Sequence, residues 1–200
     1  MSFSKCATFF GALAALVVPA SADRLSMTIR ILDQAHVSSG KIKKMQRYVE
    51  TTLAAIDINV KWIDCAANLD ACKAVRGRNE FWLRILAQNP PDLNPDTELM
   101  GLTQRGEKPG EIPCINIFYP MVERLAEKTH TEQLLGAAVA HEIGHMYLGN
   151  NREAHSLNGI MKGVWLQREF ELINLGSLNF TRGQGERIRA AITAGIEGNV

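Results

Sequence analysis

The sequence predicts an α+β fold in which a twisted mixed sheet packs against one central helix and is followed by a short C-terminal helical subdomain. Segments with alternating apolar and polar residues, typical of half-buried strands, occur among segments with helical periodicity. The first three elements follow the order strand, helix, strand, which is that of a βαβ unit with a right-handed crossover. The most apolar helical segment lies in the second half of the chain, and another helical segment closes it.

The first half of the chain predicts three strands and one helix. Residues 25–32 alternate apolar and polar side chains, as a half-buried strand does. Ser38 or Ser39 can cap a helix over 41–56, whose apolar residues form a single stripe. Further strands are predicted at 58–63 and 81–86.

The second half begins with a predicted loop at 89–110, which is rich in Pro, Asn, Asp and Gly. A strand is predicted at 112–119, and Pro120 stops it. This strand suits either the core of the sheet or an edge that can pair with an extended peptide.

The main helix is predicted over 132–148, with Thr131 as its cap and Gly149 as its end. A last helix is predicted at 182–196 and closes the domain.

The N-terminal residues 1–22 predict a secretory signal peptide. Lys5 precedes an apolar run over 7–18 that is too short to span a bilayer comfortably, and small residues follow up to Ala22. We therefore expect cleavage after Ala22 and a single domain over 23–200 that is secreted or periplasmic. An N-terminal membrane anchor is the alternative.

The charge balance of the predicted mature chain gives no sign of a nucleic-acid or membrane partner. Removing Lys5 from the 22 Lys and Arg residues leaves 21, which equals the number of Asp and Glu residues. A balanced charge of this kind lacks the basic excess that nucleic acids and anionic membranes attract. We expect a monomer without stable membrane association after signal cleavage.

The run His141-Glu142-Ile143-Gly144-His145 is the most informative part of the sequence. On an α-helix, positions i and i+4 share a face, so His141 and His145 can present nitrogens to one metal ion. Glu142 stands beside that site as a candidate general base. The apolar residues before the motif place it on a buried helix, which is the context that the motif requires. The alternative is a pair of core histidines with a chance glutamate.

A third metal ligand is expected after the helix. Gly144 costs about 1 kcal/mol relative to alanine inside a helix, which predicts close approach of another segment. Gly149 lets the chain turn back, and His155 is the nearest candidate ligand on the returning segment. Three nitrogens leave one position for water, as in a catalytic Zn²⁺ site. The alternatives are a surface role for His155 and completion of the site by Glu169 or Glu171.

These residues resemble the metzincin family of zinc metallopeptidases, and among them most nearly the matrixin branch. The resemblance rests on the motif at 141–145, the glycine after the helix, the pair His155-Ser156 and the run Gly159-Ile160-Met161. Metzincins carry a methionine in a tight turn beneath three histidines, and the resemblance implies Met161 for that turn. The return loop is four residues longer than the usual spacing of the family. The fold that the resemblance implies is a small metzincin-like zincin.

The resemblance also implies an endopeptidase that acts on proteins or peptides. Zinc lowers the pKa of its bound water from about 15.7 toward 7, and Glu142 is expected to take the proton and deliver it to the leaving amine. Trp165 and Phe170 are expected as core residues. The alternatives are a binding module without turnover and an amidase that acts on a cell-wall crosslink.

Export leaves three cysteines in an oxidising compartment. Cys65 and Cys72 close a short loop, and a disulfide between them is expected to stabilise the fold by about 2 to 3 kcal/mol. Cys114 is then expected to be a small buried residue in a strand. The alternative for Cys114 is a ligand that blocks the zinc of a latent form.

Overall fold

The computed structural model of the protein describes residues 25–67, 70, 72, 79–91, 98–105, 112–149 and 156–194. The predicted signal peptide at 1–22 lies outside these residues, and so does His155. Within the described ranges, no helix has the length and apolar character needed to cross a membrane.

The described elements follow the predicted order with three additions, β4, α2 and α4. In chain order they are β1 (Leu25–Asp33), α1 (Ser39–Ala54), β2 (Ile58–Asp64), β3 (Glu80–Leu86), β4 (Gly101–Gln104), β5 (Cys114–Phe118), α2 (Tyr119–Leu125), α3 (Thr131–Leu148), α4 (Gln167–Asn174) and α5 (Arg182–Ala194). A short 3-10 helix, Ala126–Lys128, joins α2 to α3.

The five strands form one mixed sheet in the order β2-β1-β3-β5-β4. Neighbouring strands from β2 to β5 are parallel, and β4 runs antiparallel to β5. The parallel strands β1 and β2 are joined through α1, as predicted for a βαβ unit. The mixed sheet with helices confirms the predicted fold class.

The core lies between one face of the sheet and the helices α1 and α3. Alternate residues of the central strands are buried on this face, as the period of a strand requires. They are Met27, Ile29 and Ile31 in β1, Phe81, Leu83 and Ile85 in β3, and Ile115 and Ile117 in β5. Helix α3 is even more enclosed, because every residue between Leu134 and Met146 except His141 is buried. The metal-site motif therefore lies on the most buried helix of the fold.

The predicted loop at 89–110 contains a strand, which corrects the prediction. Strand β4 pairs with β5, with Gly101 opposite Ile117 and Thr103 opposite Ile115. Four residues that begin with glycine carry little strand propensity, so this strand depends on its pairing with β5. As a result β5 lies inside the sheet, which confirms the core alternative for 112–119 and excludes the edge alternative.

Among the predicted element ends, those at Pro120 and Ser38 are confirmed in position, and the cap at Thr131 is wrong. Pro120 does stop β5, but it also lies in the first turn of the unpredicted helix α2, where a proline fits the backbone well. Thr131 is the first residue of α3, and His130 holds the cap position without a side-chain bond. Ser38 is the N-cap of α1, and its hydroxyl makes no capping bond.

Candidate metal centre

His141 and His145 lie one turn apart on α3, and their Nε2 atoms are 3.0 Å apart. Nδ1 of His141 lies 2.7 Å from the carbonyl oxygen of Ile160, and Nδ1 of His145 lies 2.9 Å from that of Gly149. A carbonyl oxygen only accepts hydrogen bonds, so each Nδ1 carries the ring proton. In a neutral ring of this tautomer the lone pair is on Nε2, and the two Nε2 atoms are directed into the same small volume.

This geometry fits a metal ion. Two lone pairs at this distance repel each other unless a cation lies between them, and two nitrogens on a tetrahedral zinc are about 3.3 Å apart. The bonds from Nδ1 to backbone carbonyls are also typical of metal-binding histidines, because they fix the tautomer and the ring orientation. Ligand atoms of His141, Glu142 and His145 all lie within 4.8 Å of one another. The three residues can therefore hold a metal ion together with its nearest solvent.

Glu142 is a buried carboxyl group, with 6% of its surface exposed. The hydroxyl of Thr103 lies 2.7 Å from Oε2 of Glu142. Burial raises the pKa of Glu142 to about 7, although hydrogen bonds from the hydroxyl and the backbone N–H of Thr103 act in the opposite direction. A carboxyl group with a pKa near neutrality can both take up and release a proton, as a general acid–base group does.

The close approach predicted at Gly144 is confirmed. A Cβ atom on Gly144 would lie 2.9 Å from Cε of Met161 and still closer to its Sδ, and Met161 is fully buried. Met161 lies in a tight segment in which Gly159 has a φ of +75° and Lys162 N–H donates to the Gly159 carbonyl at 3.1 Å. The N–H of Ser156 donates to the carbonyl of Met161 at 3.0 Å. Methionine thus packs under the helix between the two histidines.

The segment after Met161 forms one wall of the site. The carbonyl of Ile160 accepts a second bond, at 3.3 Å, from Nε1 of Trp165, whose ring stands edge-on to that of His141 with 5.6 Å between centroids. Nζ of Lys162 lies 2.8 Å from Oε2 of Glu169, the first-turn carboxylate of α4. The orientation of His141 is therefore tied to a segment with its own polar contacts.

A cleft of about 450 Å³ opens beside the histidines. Strand β4 and the segment 162–165 line it together with side chains from α2, α3 and α4, and most of these side chains are apolar. The apolar lining residues are Leu99, Met100, Leu102, Leu125, Ala138, Val164, Trp165 and Phe170. Trp165 and Phe170, which the sequence places in the core, thus also border the cleft.

The alternative metal ligands on α4 have other partners. Oε2 of Glu169 accepts bonds from Lys162 and from the backbone N–H of Leu166, each at 2.8 Å. Glu171 accepts a bond from Nε2 of Gln167 at 3.2 Å. Within the described part of the chain, neither belongs to the group of clustered ligand atoms.

The disulfide and the strand position of Cys114 agree with the predictions, but Cys114 is less buried than predicted. Cys65 and Cys72 form a disulfide. Cys114 is free and half-buried in β5, and burial raises the pKa of its thiol. A raised pKa keeps the thiol protonated and poorly reactive, which fits a structural residue.

The sequence does not mark two residues that contact the motif, Thr103 and Arg105. Besides the contact of Thr103 with Glu142, Nη2 of Arg105 donates to the carbonyl of His145 at 2.8 Å. Both residues lie in the segment predicted as a loop, and their contacts arise only because β4 packs on α3. No local sequence pattern signals such a long-range contact.

Comparison with known proteins gives one structural match. No protein-family model matches the sequence, and no curated protein matches it. The crystal structure of archaemetzincin from Methanopyrus kandleri matches with a TM-score of 0.50 and 17% sequence identity. The match covers 87% of this chain and 98% of that chain. The chain has an archaemetzincin-like fold. The predicted metzincin resemblance is thus supported at the level of the fold, and the matrixin branch stays a prediction.

Proposed function

We propose that this archaemetzincin-like chain is an exported zinc-dependent endopeptidase. The observation that carries the proposal is the pair of Nε2 lone pairs of His141 and His145, 3.0 Å apart, with the buried carboxyl of Glu142 beside them. A binding module has no use for a buried carboxyl group next to its metal, because the desolvation of that group costs free energy. The apolar cleft next to the cluster offers room for a substrate side chain.

We assign the metal to His141, His145 and His155. His155 belongs to a segment whose neighbours on both sides contact the site. Before it, the carbonyl of Gly149 accepts a bond from His145, and after it, Ser156 is bonded to Met161. These anchor points support His155 as the third ligand. We likewise assign Met161 to the methionine turn of the metzincins.

The proposed mechanism uses Glu142 as the proton carrier. Bound zinc supplies a Lewis acid that polarises the scissile carbonyl and lowers the pKa of a nearby water. Glu142 accepts the proton of the attacking water and delivers it to the nitrogen of the leaving amine. The backbone carbonyls of Ile160 and Gly149 hold the two imidazole rings in the required tautomer.

The proposed substrate is an extended peptide. Among the described strands, β4 lies at one end of the strand order and borders the cleft, so its outer edge can add a peptide strand by backbone hydrogen bonds. This assigns to β4 the role that the sequence suggests for 112–119. The apolar lining of the cleft favours an apolar residue beside the cleaved bond.

The proposed export rests on two features of the sequence and the structure. Residues 1–22 have the pattern of a signal peptide, and the disulfide between Cys65 and Cys72 is of the kind that persists in oxidising compartments. Expression of the full chain with its own leader is expected to yield an exported protein that begins at Asp23. Intact mass spectrometry of the exported protein checks this, and a retained leader would contradict it.

Glu142→Gln is the decisive test of the activity. The variant is expected to bind zinc as the unmodified chain does and to hydrolyse a peptide library at least about a hundredfold more slowly. Glu132→Gln, on the same helix but partly exposed and paired with Lys44, is the matched control and is expected to stay active. Undiminished hydrolysis by Glu142→Gln would contradict the proposed role of Glu142 as the proton carrier. Parallel assays on peptidoglycan separate an endopeptidase from a cell-wall amidase.

Zinc stoichiometry tests the ligand set. Replacement of His141, His145 or His155 by alanine is expected to weaken zinc binding sharply, measured by titration with a chromogenic chelator. Retention of one zinc per chain by His155→Ala would move the third ligand to Glu169 or Glu171.

A further inference from the structure

Strand β4 reaches the candidate general base through one side chain, that of Thr103. Its Oγ1 lies 2.7 Å from Oε2 of Glu142 and 2.8 Å from the backbone carbonyl oxygen of the same residue. Thr103 is 4% exposed and Glu142 is 6% exposed. Bulk water therefore competes little for this contact, and a hydrogen bond to a charged group in such surroundings is strong.

The strand is also shaped around Glu142 at a second position. Gly101 lies two residues before Thr103 and therefore on the same face of β4. A Cβ atom on Gly101 would lie 2.8 Å from Cγ of Glu142, so only glycine leaves space for this side chain. Pairing of β4 with β5 fixes the register of both residues. Glu142 is thus supported along its aliphatic part and at one carboxylate oxygen.

A hydroxyl group suits this position because it can donate a hydrogen bond to Oε2 in both protonation states of Glu142. When Glu142 is a carboxylate, Oε2 accepts this bond as a charged oxygen. When the other carboxyl oxygen carries a proton, Oε2 is the carbonyl oxygen and can still accept from the hydroxyl. Thr103 can therefore remain bonded to Glu142 both before and after a proton transfer.

We propose that Thr103 is a positioning residue that holds Oε2 of Glu142 and so presents the other carboxylate oxygen for proton transfer. This inference rests on the proposed peptidase function. It also gives β4 two roles. The strand that we propose as the docking edge for the peptide also orients Glu142, the base that acts at the scissile bond. The position of the substrate backbone relative to Glu142 is then fixed by the same strand.

Thr103→Val keeps the shape of the side chain and removes the hydroxyl. We expect kcat to fall about ten- to a hundredfold, the scale of one hydrogen bond to a charged group, with KM and zinc content little changed. Thr103→Ser restores the hydroxyl and is expected to recover kcat to within about threefold of the unmodified chain. Thr52→Val is the matched control, because Thr52 is also buried but lies on α1.

A double-mutant cycle with Glu142→Gln shows whether Thr103 acts through Glu142. The readout is the affinity of the zinc-loaded protein for a peptide hydroxamate, measured by calorimetry, because a hydroxamate carries an acidic proton that a neighbouring carboxylate accepts. Thr103→Val is expected to weaken binding about tenfold in the unmodified chain and not further in the Glu142→Gln background.

Three results would overturn the inference. Full activity of Thr103→Val, with Glu142→Gln inactive, removes the role of Thr103 and leaves the peptidase proposal intact. Equal weakening of hydroxamate binding in both backgrounds shows that Thr103 does not act through Glu142. If the zinc-loaded unmodified chain hydrolyses no peptide, the proposed function fails and this inference fails with it.

Discussion

Gly144→Ala tests the packing that places Met161 beneath the metal-site helix. In an open helix this change stabilises the folded state by about 1 kcal/mol. Here the new Cβ atom would lie 2.9 Å from Cε of Met161 and 2.9 Å from Cε1 of Phe180. Both neighbours are buried, so neither can move aside into solvent. Overpacking of this kind costs about 1 to 3 kcal/mol, so we expect a net loss of up to about 2 kcal/mol in the free energy of unfolding.

Urea unfolding of the metal-free protein measures this loss of free energy. In thermal unfolding of the same protein, Tm is expected to fall by about 2 to 4 °C per kcal/mol lost. Gly40→Ala is the control, because nothing lies within 4 Å of a Cβ atom at that position in α1. In a Met161→Ala background the clash is largely relieved, so Gly144→Ala is expected to be less destabilising there. A gain in stability from Gly144→Ala in the unmodified chain, equal to that of Gly40→Ala, would refute the packing argument.

Three further predictions concern the disulfide, a buried ion pair and the wall of the site. Replacing both Cys65 and Cys72 by alanine is expected to lower the free energy of unfolding by about 2 to 3 kcal/mol, measured by urea titration against the oxidised unmodified chain, which carries the disulfide. Glu80→Gln removes the carboxylate that lies 2.7 Å from the buried guanidinium of Arg30. The free energy of unfolding in the same assay is expected to fall by about 3 kcal/mol. An unchanged urea midpoint would show that this ion pair is dispensable. Trp165→Phe removes the indole N–H that donates to the carbonyl of Ile160, which in turn orients His141. Zinc affinity is expected to fall about tenfold. Unaltered affinity in a chelator competition would contradict this.

The local parts of the metal centre could be predicted from the sequence. The spacing of His141 and His145 fixes their shared helical face, and the cost of a glycine in a helix signals the close approach at Gly144. The first inference depends only on sequence separation along one helix, and the second on the helix propensity of a single residue, which signals a close contact without naming the partner. The disulfide between Cys65 and Cys72 follows from the short loop that they close.

The contacts made across the fold could not be predicted in this way. The four residues of β4 resemble a loop, and only their pairing with β5 brings Thr103 to Glu142. The capping role of Glu169, in contrast, follows from its spacing in the sequence. Glu169 lies three residues after Leu166, whose N–H it caps, and this spacing is that of a helix start rather than of a metal ligand.

The enclosure of helix α3 has a consequence for how a metal ion can enter and leave the site. The imidazoles are oriented by backbone carbonyls and by a helix with nearly all of its surface covered, so the polypeptide itself supplies the scaffold for zinc. Unlike a zinc finger, which collapses when its ion is withdrawn, such a centre can be emptied and refilled without unfolding.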